Sequence, residues 1–202
     1  MNKILLAIIA ILLCATTALA RPLNPVEGLE FLRRSFAGMN DFTAQITQEK
    51  QLAMMKRKLV STGTVRFRKP DLFFMELNPP HASRLRLKDS TLSLYLVQDR
   101  TSQQMVLPPD QGLKHWLGFL AKPVTALPDG VEVKADRQND RTTLQLAPRD
   151  KGQIKGVTLV LQEDGRLKRL VLDERNGDRT TISFSQFRKN IGLTERDFRV
   201  EP

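Results

Sequence analysis

The sequence predicts a mainly β protein, in which one antiparallel sheet curls toward a barrel and is accompanied by two short helices. The first observation is the spacing of apolar residues, which changes from a helical period to alternation at Asp41. The second is the turn chemistry between the alternating segments, where Asp164-Gly165 and Asn176-Gly177 are strong hairpin signals. Strands that follow each other in the chain should therefore pair, and about eleven of them would twist toward closure.

The first 20 residues are typical of an export signal. Lys3 precedes an apolar run from Ile4 to Leu13, and Ala18-Leu19-Ala20 is a small-x-small cleavage motif. The run is shorter than the roughly 20 apolar residues that cross a bilayer as a helix. We therefore predict a signal peptide at 1–20, cleaved after Ala20, and a single exported domain at 21–202.

Two amphipathic helices are predicted in the exported domain. The first begins at Asn24-Pro25, a capping residue followed by a first-turn proline, and its apolar residues recur at helical spacing as far as Met39. The second is short and lies between two prolines, at 111–121. Its apolar residues share one face and are interpreted as a lid over the sheet: Leu113, Trp116, Leu117 and Leu120.

The remaining regular segments are predicted to be strands because of their alternation and the turn residues between them. Their predicted bounds are 41–51, 59–68, 71–78, 84–88, 91–97, 103–107, 131–136, 141–147, 154–161, 166–173 and 179–188.

The middle strands are apolar on both faces, so each face must be covered by protein or by a ligand. A packed barrel interior under the two helices is one explanation. A sheet wider than the roughly eight strands whose side chains just fill a barrel could instead enclose a cavity, and an apolar cavity in an exported protein points to a lipid or an acyl chain. The residues predicted to line it are Phe67, Phe73, Met75, Leu92, Leu94, Leu96 and Met105.

The net charge of +10 favours anionic partners or a solvated basic surface. Arg66 and Arg68, then Arg84, Arg86 and Lys88, alternate along predicted strands, which is typical of a solvated face. An export signal and the scarcity of aromatic residues argue against a nucleic-acid partner.

No pattern typical of catalysis or metal binding stands out. His81 and His115 are the only histidines, and no Gly-x-Ser-x-Gly or phosphate-binding glycine motif occurs. We therefore expect no enzymatic reaction, no metal and no cofactor.

Several short motifs occur together in a specific order. They are Asp41-Phe42-Thr43-Ala44-Gln45, the segment from Gly63 to Phe73, Leu146-Ala147-Pro148-Arg149, and the segment from Ile154 to Leu159. With them the chain resembles the LolA family, periplasmic carriers of outer-membrane lipoproteins. The resemblance implies an unclosed eleven-stranded barrel with helices as a lid, whose interior holds acyl chains. It also implies a periplasmic monomer that takes acylated lipoproteins from an inner-membrane transporter to an outer-membrane acceptor.

The resemblance further implies a latch. In the family a basic residue before the proline of the strand-connecting motif, usually arginine, hydrogen-bonds the lid and holds the empty form closed. Its counterpart here is Lys69, which lacks the planar donor fork of arginine.

The expected function is lipoprotein or lipid transport in outer-membrane biogenesis. The alternative is a periplasmic sensor or envelope assembly factor that binds lipid without transferring it.

Overall fold

The computed structural model describes residues 21–55, 58–108, 112–149 and 152–200. The predicted signal peptide lies outside the described residues, as do the side chains at 115, 116 and 119. Neither α-helix in the described part of the chain has the length and apolar character needed to cross a bilayer.

The described chain contains two α-helices, twelve strands and a C-terminal 3₁₀ helix, Glu195–Phe198. The helices are α1 (Pro25–Ala37) and α2 (Leu113–Phe119). The strands are β1 (Arg21–Leu23), β2 (Asp41–Gln51), β3 (Lys58–Arg68), β4 (Leu72–Leu77), β5 (Ser83–Lys88), β6 (Thr91–Leu96), β7 (Thr101–Val106), β8 (Val131–Gln138), β9 (Arg141–Pro148), β10 (Ile154–Gln162), β11 (Leu167–Glu174) and β12 (Arg179–Lys189).

All twelve strands form one antiparallel sheet in the order β1-β8-β9-β10-β11-β12-β2-β3-β4-β5-β6-β7. The sheet is not closed, since β1 and β7 are its two edges. The predicted mainly β, unclosed sheet is thus confirmed. The additional strand is β1, three residues that pair with β8 and are too short to show any period.

The turns between strands have the backbone geometry that their residues predict. Asp89 and Asn139 have positive φ angles of 50° and 53°. Gly165 and Gly177 have φ angles of 80° and 91°, which glycine adopts without strain. These turns fix the register of the hairpins on either side.

Helix α1 packs on β8 and β9. Its N-terminus is capped by the Asn24 side chain, which accepts a hydrogen bond from the Val26 N–H at 2.9 Å. Leu32 is buried against Ala135 and Leu144. The last turn of α1 reaches the other half of the sheet, where Phe36 contacts a second cluster.

That second cluster defines what we call the inner face of the sheet. Its buried side chains come from β2, β3 and β12 and from the segment after α1: Met39, Phe42, Ala44, Ile46, Val65, Phe67, Ile182 and Phe184. Phe73 and Met75 of β4 pack against it, so the odd-numbered residues of β4 point inward.

The opposite side, the outer face, is covered near β4 by the C-terminal segment. Phe198 and Val200 are buried there with Leu72 and Phe74. The chain after β12 is directed to this place by the buried Asp41 carboxylate, which accepts hydrogen bonds from backbone N–H groups. This C-terminal cover was not among the features predicted from the sequence.

Candidate functional site

The seven residues predicted to line a cavity all lie on the inner face of β3 to β7. Strand register places Phe67, Phe73, Leu92 and Met105 in one row across the sheet. Met75 and Leu94 lie in the next row, and Leu96 lies in the row beyond it. The predicted residues therefore form one continuous surface.

This surface is only partly covered. Phe67 is 5% exposed, whereas the Met105 side chain at the edge strand is 54% exposed. The other five predicted residues are half-buried. On the outer face of β4, by contrast, Leu72 and Phe74 are at most 2% exposed beneath the C-terminal segment. The two apolar faces of the same strand are therefore covered very differently.

Three further leucines belong to the same inner surface and were not predicted as site residues: Leu77, Leu85 and Leu87. Leu85 and Leu87 alternate with Arg84, Arg86 and Lys88 along β5. The sequence indicated Leu85 and Leu87, because alternate basic residues on a solvated outer face require the residues between them to point inward.

Helix α2 crosses one end of the inner face. Leu117 packs against the cluster that contains Phe42 and Phe67, and Leu120, just after the helix, packs against the cluster beneath α1. Leu113 is half-buried. The Trp116 side chain lies outside the described residues. Leu117 and Leu120 thus bridge the two halves of the core.

Polar contacts hold the start of α2. The backbone N–H groups of Leu113 and Lys114 donate to the Asp89 backbone carbonyl and carboxylate, at 3.0 and 3.2 Å. The Lys114 ammonium lies 3.2 Å from the Asp71 carboxylate. Both acids belong to turns between inner-face strands, so α2 is fastened to the same end of the sheet.

A different contact holds the chain after α2. The Val124 N–H donates to the Glu30 carboxylate at 3.0 Å, and Arg33 donates to both oxygens of the same carboxylate. The Arg33 hydrogen bond and then the Val124 hydrogen bond lower the pKa of Glu30 to about 2. Glu30 therefore joins α1 to the chain that leaves α2 while remaining ionised far into the acid range.

Lys69 contacts α1. Its ammonium donates to the backbone carbonyls of Phe36 and Ala37, at 2.7 and 3.2 Å. These are terminal carbonyls of the helix, where a cation is stabilised by the helix dipole. Partial burial lowers the pKa of the Lys69 ammonium below its ordinary value. Lys69 is therefore bound to the end of α1. Its role as the latch of a lid stays a prediction.

A cleft of about 300 Å³, which we call the mouth cleft, opens at the end of the inner face opposite α2. Leu96 is the predicted site residue in its lining. Seven of its eleven lining residues are polar, and the full set is Gln48, Lys50, Leu59, Ser61, Leu77, His81, Ala82, Ser83, Leu96, Gln98 and Asp99. The apolar inner face therefore ends in a polar rim.

A second cleft of about 300 Å³ lies on the outer face beside the C-terminal segment. Internal ion pairs and hydrogen bonds hold two of its arginines, Arg66 and Arg84. Arg84 donates to Glu76 at 2.8 Å, and Arg66 donates to the Asp197 backbone carbonyl at 3.1 Å. Arg84 also donates to the Val200 backbone carbonyl at 3.4 Å, and this contact and that of Arg66 bind the C-terminal segment to the sheet.

Within the described ranges, no group of three or more His, Cys, Asp and Glu side chains is arranged to hold a metal ion.

Comparisons with known proteins agree with the architecture. The family profile described as "Outer membrane lipoprotein carrier protein LolA" matches residues 37–201. A search of curated protein sequences found no match.

Among solved structures, an uncharacterized conserved protein from Thermus thermophilus matches with a TM-score of 0.53 and 15% identity, over 87% of this chain and 93% of that one. A LolA superfamily protein from Nitrosomonas europaea matches with a TM-score of 0.46 and 12% identity, over 88% and 98%. The Pseudomonas aeruginosa MucA/MucB complex matches with a TM-score of 0.48 and 13% identity, over 88% and 61%.

At such identities the structural likeness concerns the fold, whereas the profile match covers most of the chain. LolA carriers are periplasmic and catalyse no reaction. The order of motifs, the unclosed sheet and the profile match lead to one conclusion, which is that this chain belongs to the LolA family.

Proposed function

We propose that this protein is a periplasmic carrier that binds the acyl chains of lipoproteins, or of a related lipid, on its inner face. It would take them from an inner-membrane transporter to an outer-membrane acceptor. The observation that supports this most directly is the half-covered apolar surface of β4 to β6, which faces the sheet interior, whereas Leu72 and Phe74 on the outer face of β4 are buried.

The free energy of the cargo explains why a covered surface is needed. Removing a methylene from water stabilises it by about 0.8 kcal/mol, so a chain of about a dozen methylenes costs on the order of 10 kcal/mol when left in water. A surface that receives such a chain and later releases it needs a second, closed state that competes with the ligand.

Helix α2 is suited to be that competing cover. Leu117 and Leu120 supply the apolar contact, and the residues that fasten the segment make mostly exposed hydrogen bonds and ion pairs. Such exposed contacts contribute roughly 1 kcal/mol or less each. Uncovering Leu117 and Leu120 adds roughly 1.5–3 kcal/mol each, so moving α2 aside costs free energy of the same order as the burial of an acyl chain returns, as a competing cover requires.

Two neighbouring residues on edge strand β7 provide a matched test. Met105 points to the inner face and Val106 to the outer face, and both are exposed, so neither change threatens the core. We expect Met105→Glu to weaken the binding of a triacylated lipopeptide by about tenfold, because it replaces apolar contact with a charge. Val106→Glu should leave the affinity within about twofold.

Native mass spectrometry of the protein–lipopeptide complex measures both affinities. An equal effect of the two variants would contradict binding on the inner face.

A second assay, in which loaded protein is mixed with acceptor vesicles, separates carrying from sensing. Transfer of the lipopeptide to the vesicles supports the carrier, whereas binding without transfer would favour the sensor or assembly factor.

A further inference from the structure

The inner face of β2 changes character along the strand. Phe42, Ala44 and Ile46 are buried and apolar, and the next inward positions are occupied by Gln48 and Lys50. The change occurs where the mouth cleft begins. An extended ligand on the inner face would therefore have an apolar end near α2 and a polar end at the cleft.

Lys50 is an unusual residue at an inward position of a central strand. It is half-buried, lies between Leu59 and Thr180 in the sheet, and lines the cleft. Across the described residues, its ammonium has neither an ion pair nor a side-chain hydrogen bond. Lys58, which points to the outer face, is paired with Glu49 at 3.3 Å.

The usual structural reason for an inward charge does not apply to Lys50. Inward-pointing lysines protect edge strands from pairing with other molecules, but β2 lies between β12 and β3. The Lys50 ammonium has no counter-charge among the described residues, so an anion supplied by a ligand could pair with it without displacing a partner.

The rest of the cleft lining can complete the coordination of such an anion. Ser61 and Ser83 provide hydroxyl donors, and His81 provides a ring N–H. Asp99 is a carboxylate in the lining, but it is exposed in the turn after β6, where water and salt weaken its repulsion. Lys50 is less exposed than Asp99, so its field is screened less by solvent.

We propose that the mouth cleft binds the anionic headgroup, a phosphate or a carboxylate, of an acylated ligand whose chain lies along the inner face. This inference rests on the proposed function and adds that, among acylated ligands, those with a negatively charged group next to the chain bind most tightly. The row of inward residues that runs across the sheet from Gly63 to Leu96 lies four residues along the strands from the row that contains Phe73 and Leu92. At a strand rise of about 3.3 Å per residue, the two rows are about 13 Å apart. The apolar chain would run along that length toward α2.

The test compares headgroups on one chain length by isothermal titration calorimetry of the whole exported protein. The probes are dodecyl phosphate, dodecylphosphocholine and glyceryl monolaurate below their micelle concentrations, with inorganic phosphate as a chain-free arm. The variants are Lys50→Met, which keeps the aliphatic stem, and Lys58→Met as the matched control on the outer face. Circular dichroism checks that each variant is folded, and Lys50→Gln serves as a second variant.

The wild-type protein should bind dodecyl phosphate about tenfold more tightly than glyceryl monolaurate, the scale of one charge-assisted hydrogen bond. Lys50→Met should abolish that preference and leave glyceryl monolaurate binding unchanged, while Lys58→Met should keep it. The headgroup assignment would be overturned if dodecyl phosphate bound no more tightly than dodecylphosphocholine or glyceryl monolaurate, or if inorganic phosphate bound as tightly as dodecyl phosphate. Either result would leave the proposed function standing. Failure of all three acyl probes to bind would contradict the proposed function itself.

Discussion

Glu30 shows how a single side chain can fasten the cover to the body of the protein. Its carboxylate accepts from Arg33 on its own helix and from the Val124 N–H beyond α2. Lys69 plays a comparable part at the other end of α1, where it satisfies the last carbonyls. Glu30 and Lys69 therefore hold α1, and the chain that follows α2, in place on the sheet.

The lowered pKa of Glu30 makes a pH-dependent prediction. Because the folded-state pKa of about 2 lies below the ordinary 4.5, the ionised carboxylate stabilises the fold above pH 4.5. That stabilisation is lost as the pH falls through about 2. We therefore expect Glu30→Gln to lower the melting temperature at neutral pH, with the gap to wild type narrowing below pH 4.5 and vanishing near pH 2.

Calorimetric melting curves between pH 2 and 7 measure this gap. Glu27→Gln, which alters another carboxylate of α1, is the control and should show a smaller difference. A gap for Glu30→Gln that stays constant down to pH 2 would show that the carboxylate charge does not stabilise the fold.

Strands β3 and β4 approach each other unusually closely at Gly63. A Cβ atom added there would lie 2.0 Å from the Glu76 backbone carbonyl oxygen, so one of the strands would have to move. The position is the inward residue of β3 beside Leu77, at the start of the mouth cleft. Glycine at this point lets β3 and β4 pair in register without a clash between a side chain and the Glu76 carbonyl.

Gly63→Ala is accordingly expected to destabilise the protein by about 1–3 kcal/mol, the usual range for overpacking. Gly156→Ala in β10 is the matched control, because the nearest atom to its added Cβ is 3.8 Å away. Urea unfolding of the two variants measures the difference. A destabilisation of Gly63→Ala no larger than that of Gly156→Ala would contradict the close approach of β3 and β4.

At the scale of the whole molecule, hairpin order, turn positions and the inward face of the middle strands were predictable from the sequence. These features depend on local alternation and on turn residues such as Asn139 and Gly177, whose backbone angles agree with the prediction. Strand ends were close to prediction, and β2 was placed at its exact bounds.

Other features depend on contacts between distant parts of the chain, and the sequence alone did not reveal them. The burial of Phe198 on β4 joins residues more than a hundred positions apart, and a single phenylalanine near the end of a chain has no period. The mouth cleft likewise brings together Lys50, His81 and Asp99 through strand register. Long-range register, rather than local propensity, decides which polar groups meet.

The most direct test of the account is photo-crosslinking with a lipopeptide that carries a photoreactive group on its acyl chain, followed by residue-level mass spectrometry. Neighbouring residues of β4 and β6 point to opposite faces, so the labelled positions identify the binding surface. We predict labels on Phe73, Met75 and Leu94. Labels on Leu72, Phe74 and Tyr95 instead, or no specific label on these strands, would contradict acyl-chain binding on the inner face.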